Sequence, residues 1–275
     1  PAQLRERDMA SVVFYELLGF NAAGPGALVR DAWRRVDEMK KEIQRPPLSY
    51  SVVAHAPYSV SPTLFSEIAR QRRSAPLAVH LGESPEEIEF LRTGRGPFRD
   101  LLGTLGVWDE DWRAPQCDPV EYLDRLGYLR PGLLAVHGVH LGDDALLKLR
   151  NAGATVVTCP RSNEWVGAGL PRLSHFYGCG LPVAIGTDSL ASTGSLNMFD
   201  ELAALRRIAP DVSAAGLLES ATHHGALARG YGDEFRTLAP GKRAALVAVE
   251  TPPDVGDVEE YLVSGVPASS IRRAA

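Results

Sequence analysis

Six times along this 275-residue chain, a short apolar run gives way to a stretch with helical spacing. The runs lie at Ser11–Leu17, Leu48–Ala54, Leu77–Leu81, Leu133–His137, Thr155–Thr158 and Leu181–Gly186. Near-continuous apolar strands separated by amphipathic helices describe parallel strands covered on both faces, so the alternation predicts an α/β fold. The first intervening helix places Leu28, Val29, Ala32, Val36, Met39 and Ile43 on one face, and Pro46-Pro47 stops it. Ser61-Pro62 and Ser84-Pro85 each supply an N-cap followed by a proline at the first helical position. Further helices are expected near 119–126, 143–151, 171–177, 197–209 and 213–229. Residues 94–119, with glycines, prolines, Trp108 and Trp112, read as a long irregular connection, either a cover for a site or a loop pinned by its aromatics. From Gly241 the texture changes, and Ala244–Val249 and Tyr261–Val266 read as strands of a small β appendage.

The polar residues at the ends of these strands carry the chemistry. His80 ends one run, with Glu83 three residues on; His137 ends another, with His140 close behind; Asp188 follows a third. Catalytic groups of (β/α) barrels gather at the C-terminal ends of different strands. Neutral imidazoles and carboxylates are the usual ligands of zinc and similar cations, and a carboxylate that is not a ligand can move protons. His137 is favoured over His140 because it directly follows the apolar run. Taken singly, each has a plainer role: a structural histidine at 80 or 140, or a helix cap at Asp188. Their recurrence on successive strand ends favours a metal-assisted hydrolase. His55, with Tyr58 nearby, and Asn163 are expected to contact substrate; Asn163 and Arg161 are candidate hydrogen-bond donors in a segment that reads equally as a plain turn. Glu16 sits near another strand end, whereas His175, His223 and His224 fall in helices and are expected to be structural. A closed barrel of this type takes eight strands, so six units imply an open sheet or two units before Pro1.

Composition excludes several alternatives. A net charge of −5 with mixed signs gives no basic stripe for nucleic acid, and no apolar stretch has membrane-spanning length. Cys117, Cys159 and Cys179 lack CxxC spacing and are odd in number, as expected of reduced thiols in a cytoplasmic protein. Phosphate-loop, dinucleotide and GxSxG signatures are missing.

Five ordered motifs resemble those of the amidohydrolase superfamily: HAPYSVS at 55–61, HLGES at 80–84, HGVHL at 137–141, CPRSN at 159–163 and GTDSLAST at 186–193. LAPGKRAALVAVE at 238–250 is similar to the strand by which such chains return to a small β domain. The resemblance is to the branch of metal-dependent deaminases and triazine chlorohydrolases, through HAPYSVS most of all to the aminodeoxyfutalosine and S-adenosylhomocysteine types. It implies His80 and Asp188 as metal ligands, Glu83 as proton shuttle, His137 as the group orienting water and His55 as a substrate contact. It also implies a single divalent ion, zinc or iron, and a TIM-type (β/α)8 barrel. The family's first strand carries an HxH ligand pair that does not occur in this sequence. The missing pair and the missing two units agree in location. The expectation is therefore a barrel lacking its first two βα units over residues 1–237, with 238–275 the β segment of a composite small domain, and roughly a hundred residues preceding Pro1. The expected reaction is deamination of an amino-substituted, purine nucleoside-like heterocycle. The alternatives are chlorohydrolase or amide-hydrolase chemistry, a catalytically incomplete fragment, and a binding module. A small-molecule substrate and a homodimer are the expected partners, with no nucleic acid or membrane.

Overall fold

The computed structural model describes residues 10–42, 48–235 and 237–274. Ile43 and the Pro46-Pro47 stop lie outside them. The chain divides into two compact units: residues 1–135 with 140–154, and residues 136–139 with 155–275.

In the first unit, β1 (Ser11–Leu17) and β2 (Leu48–Ala54) are parallel, in register from Ser11 opposite Leu48 to Leu17 opposite Ala54. The helix Pro25–Glu42 joins them and buries Val29, Ala32, Trp33 and Val36, the face its spacing predicts. β2 buries Tyr50 through Ala54 without a break, as a strand covered on both faces must. The helix Pro62–Gln71 begins where Ser61 Oγ accepts from the Leu64 N–H, and it buries Leu64, Phe65, Ile68 and Ala69. β3 (Leu77–Leu81) follows, and the helix Pro85–Thr93 then ends at Gly94, whose φ of +70° suits glycine. The helices Pro119–Arg125 and Asp143–Asn151 form where expected. β4 (Leu133–His137) neighbours β3, and its first residues belong to this unit while its last belong to the second.

β2 and β3 belong to separate ladders, and a side chain bridges them. The Tyr128 hydroxyl accepts from the Ala54 N–H and donates to the Ala78 carbonyl, each at 3.0 Å. The His80 N–H donates to the His55 carbonyl at 2.8 Å, so the two strand ends that carry histidines are fixed to one another.

The stretch 94–119 is not irregular throughout. Pro97–Thr104 is a helix, with Pro97 in its first turn and Leu102 buried. The two glycines before Pro97 make the segment read as a loop, but Pro97 is a helix start. Trp108 stacks on Phe20 with ring centroids 5.6 Å apart, and Trp112 stacks on Phe90 at 4.7 Å. The aromatics therefore do anchor the connection.

In the second unit, β5 (Thr155–Thr158) and β6 (Val183–Ile185) are parallel, with Val156 opposite Val183. The segment 159–163, open as a turn in the sequence, begins the helix Pro160–Trp165. The expected helix at 213–229 is two, Ala214–Ala221 and His223–Ala228, broken at Thr222. Of the two appendage strands, the first shortens to β7 (Val247–Val249), which pairs antiparallel with β8 (Ile271–Arg273). The second is a correction: Val258–Val263 is a helix, because Asp257 caps it by accepting from the Glu260 N–H at 3.0 Å. That local signal outweighs the β look of Tyr261-Leu-Val. None of the three cysteines is in a disulfide. No helix among the described residues is long and apolar enough to cross a membrane.

Candidate functional site

In the first unit, three polar side chains meet at the C-terminal ends of three consecutive strands. Glu16 is the penultimate residue of β1, His55 follows β2, and His80 is the penultimate residue of β3. Each offers a ligand atom within 4.8 Å of the others. His80 Nε2 lies 3.5 Å from Glu16 Oε1, and the His55 and His80 rings are 5.1 Å apart. His55 Nδ1 and Ser59 Oγ are 2.6 Å apart, an interaction that orients the ring. Two imidazoles and a carboxylate are a donor set that zinc or a similar first-row cation accepts, so the residues fit a divalent ion. Tyr58 packs edge-on to His55 and stacks flat on Phe98, and burial pushes its phenol pKa up. The structure thus places the expected contacts His55 and Tyr58 side by side.

Glu83 sits on a loop whose backbone is held by a residue that sequence reasoning did not single out. Glu87 is fully buried, and its two carboxyl oxygens accept from the Gly82 N–H at 3.0 Å and the Glu83 N–H at 3.3 Å. The signal was present: Ser84-Pro-Glu-Glu87 has the spacing of a capping box, in which the third helical residue reaches back toward the N-cap. Burial, partly offset by these two hydrogen bonds, pushes the Glu87 pKa up to about 8. Unfolded, it would ionise near 4.5, so between these values the native state binds the extra proton and stability falls as pH rises. Glu87→Gln is expected to flatten that slope, gaining about 3 kcal/mol relative to the parent between pH 5.5 and 8.5. Denaturant unfolding of both proteins across this range checks it; parallel pH profiles would refute the assignment.

In the second unit, His137 is buried at the end of β4, and its Nδ1 lies 2.7 Å from Asn163 Oδ1. With an amide oxygen as partner, Nδ1 carries the proton and Nε2 presents the lone pair. Asn163 was expected to contact substrate; its oxygen instead holds His137. Its Nδ2 is buried with no hydrogen-bond partner among the described residues, so the donor assigned to substrate is still available. Asp188 follows β6, with the hydroxyls of Ser162 and Ser192 at 2.6 and 3.0 Å from its Oδ2 and 2.8 Å from each other. Both serines lie inside motifs already noted, but nothing in their spacing marks them as partners of the aspartate. His137 and Asp188 have φ of +78° and +57°, and the only other non-glycine described residue with positive φ is Gln116. Left-handed backbone at a side chain with a chemical role is the kind of strain that collects at functional sites. The Arg161 guanidinium donates to the Ser195 carbonyl at 3.3 Å and lies 3.4 Å from buried Glu201 and 3.6 Å from Asp200. His224 Nδ1 bonds to the Val183 carbonyl at 3.0 Å, a structural role.

The profile of the Amidohydrolase family matches residues 7–271. Aminodeoxyfutalosine deaminase of Deinococcus radiodurans is 31% identical over 232 residues, 82% of this chain and 55% of that protein. The 5-methylthioadenosine/S-adenosylhomocysteine deaminase of Pyrococcus furiosus is 31% identical over 167 residues, 60% of this chain and 35% of the relative. The crystal structure of an adenosine deaminase from Xanthomonas campestris with bound zinc superposes with a TM-score of 0.79 at 25% identity, covering 98% of this chain and 60% of that one. Aminofutalosine deaminase of Helicobacter pylori, in complex with methylthio-coformycin, gives 0.80 at 24% identity over 95% and 64%. The chain spans about half the length of the curated relatives it matches, 55% of the first and 35% of the second. The family profile spans both units and all five motifs, and by that match the chain belongs to the Amidohydrolase family.

Proposed function

We propose that this chain carries the working residues of a metal-dependent hydrolase that removes the amino group from a purine nucleoside-like heterocycle. The observation that carries the reading is the meeting of Glu16, His55 and His80 at three adjacent strand ends, one loop from Glu83. The two curated deaminases act, by their names, on nucleosides of this class. A divalent cation, zinc or iron, would be held with His80 and Asp188 among its ligands, and it supplies the Lewis acidity that makes water a nucleophile near neutral pH. Glu83 protonates the ring nitrogen next to the carbon under attack, which raises that carbon's electrophilicity. Asp188 accepts the proton of the attacking water, steadied by Ser162 and Ser192. His137, oriented by Asn163, directs the water through its outward nitrogen. Of the grouped imidazoles His80 is kept for the ion, while His55 and the Asn163 amide nitrogen bind the heterocycle and its sugar. Loss of ammonia also needs a proton on the departing nitrogen, passed on from the water through Asp188 or Glu83, whereas a leaving chloride takes none, so two proton-carrying carboxylates favour deamination over chloride displacement. We read β1 to β6 as strands of a TIM-type (β/α)8 barrel, and 238–275 as part of a small β domain.

Ammonia release from a panel of aminated nucleosides, with the zinc-loaded full chain, tests the proposal. Turnover of at least one aminopurine nucleoside is expected; release from none of them would overturn it.

A further inference from the structure

Among the described residues only two carboxylates are buried, Glu87 in the first unit and Glu201 in the second. Taking an acid out of water is costly unless hydrogen bonds compensate it. Glu87 turns both carboxyl oxygens to the backbone of the segment that carries Glu83. Glu201 makes a comparable contact within its own unit, to a segment forty residues away in sequence. It stands in the first turn of the helix Met198–Ile208 and meets the start of the helix Pro160–Trp165. The local sequence explains why that start lacks a cap of its own. Cys159 occupies the N-cap position without a side-chain hydrogen bond, and Pro160 has no N–H. The Arg161 N–H is therefore the first backbone donor of this helix and has no acceptor inside it.

Glu201 Oε2 accepts from that N–H at 3.4 Å, and its Oε1 accepts from the Arg161 guanidinium, also at 3.4 Å. The guanidinium donates in addition to the carbonyl and hydroxyl oxygens of Ser195, each at 3.3 Å. Bonds of this length are weak singly, but four converge on one residue. Burial raises the Glu201 pKa, and the Arg161 N–H and guanidinium oppose that rise. The next two residues carry the consequence. Ser162 Oγ donates to Asp188 Oδ2 at 2.6 Å, and Asn163 Oδ1 lies 2.7 Å from His137 Nδ1. Ser162, Asn163 and His137 are all buried, so solvent does not make up for a bond lost there. Movement of Arg161 shifts both partners at once, and a displacement of about 1 Å costs roughly a hundredfold in rate.

We propose that Glu201 is a positioning residue: by holding Arg161 it fixes Ser162 and Asn163, and through them the Asp188 carboxylate and the His137 imidazole. The kinetic half of its test rests on the deaminase reading. Glu201→Gln, in the zinc-loaded full chain, keeps the shape and removes the charge opposite the guanidinium. It is expected to lower kcat for the deaminated nucleoside about thirtyfold, with KM within roughly twofold of the parent. In an Asp188→Asn background the same change is expected to cost less than about fivefold, because a group it positions is already lost. Effects that simply multiply would show a general structural contribution and overturn the proposal. The second readout is the His137 Nδ1 proton in the NMR spectrum, sheltered from exchange by Asn163. It is expected to be lost to exchange in Glu201→Gln at a temperature where the variant is still folded, and an unchanged resonance would overturn the proposal whatever the kinetics. If Glu201→Gln does not fold, Glu201→Asp, which keeps the charge but shortens its reach to the Arg161 N–H, is read in the same two ways. If the parent deaminates no nucleoside, the deaminase reading falls, and the resonance alone decides whether Glu201 holds His137.

Discussion

Asp188→Asn is expected to lower kcat/KM for the deaminated nucleoside by about a thousandfold while leaving the thermal midpoint within a few degrees of the parent. The substitution is chosen because it separates charge from shape. Asp188 has a φ of +57°, a conformation that asparagine also tolerates. The amide oxygen can take the place of Oδ2 opposite the Ser162 and Ser192 hydroxyls. What disappears is the negative charge and the ability to take a proton from water. Retention of more than a tenth of the parent's activity would remove Asp188 from the mechanism. A large fall in the melting temperature would instead show that the carboxylate serves the fold. Steady-state ammonia release and a thermal melt on the same preparation read both.

The second large effect is on stability. Tyr128→Phe keeps the buried ring and removes only the hydroxyl that joins β2 to β3. The Ala54 N–H and the Ala78 carbonyl then lose their shared partner in a region closed to water. Two buried groups left unsatisfied cost about 3 kcal/mol together, at roughly 1–3 kcal/mol for each. The urea transition of the first unit is expected to shift accordingly, with an unchanged m-value. A shift below about 1 kcal/mol would mean that the strands close on each other without the tyrosine. The variant should also weaken activity, because His55 and His80 stand one and two residues beyond the atoms that the hydroxyl joins.

The sequence makes β1 to β4 legible because parallel strands covered on both faces must be apolar along their length, and few other elements look like that. His55, His80, His137 and Asp188 stood out for the same reason: each interrupts or ends such a run. Their partners did not. Ser59, Ser162 and Ser192 are ordinary small polar residues, and only folding brings them against a histidine or an aspartate. Glu87 looks like one acid among several in a charged first turn, although it is fully buried. Tyr128 could not be recognised before the spacing between β2 and β3 was known. Two errors share a different cause. Pro97 after two glycines resembles loop, and Tyr261-Leu-Val resembles strand, yet in each case a helix-start residue, Pro97 or Asp257, set the outcome. Local capping chemistry decided where periodicity was too short to do so.

The left-handed backbone at His137 and Asp188 bears on how this protein could be engineered. Each costs roughly 1 kcal/mol relative to a residue at ease there. A screen that rewards heat resistance alone would find relief at 137 and 188, through glycine or asparagine, and would discard the imidazole and the carboxylate in doing so. Any hardened version of this chain meant to keep both side chains should hold those two positions fixed and seek its gains elsewhere, for example at exposed surface sites of the helices.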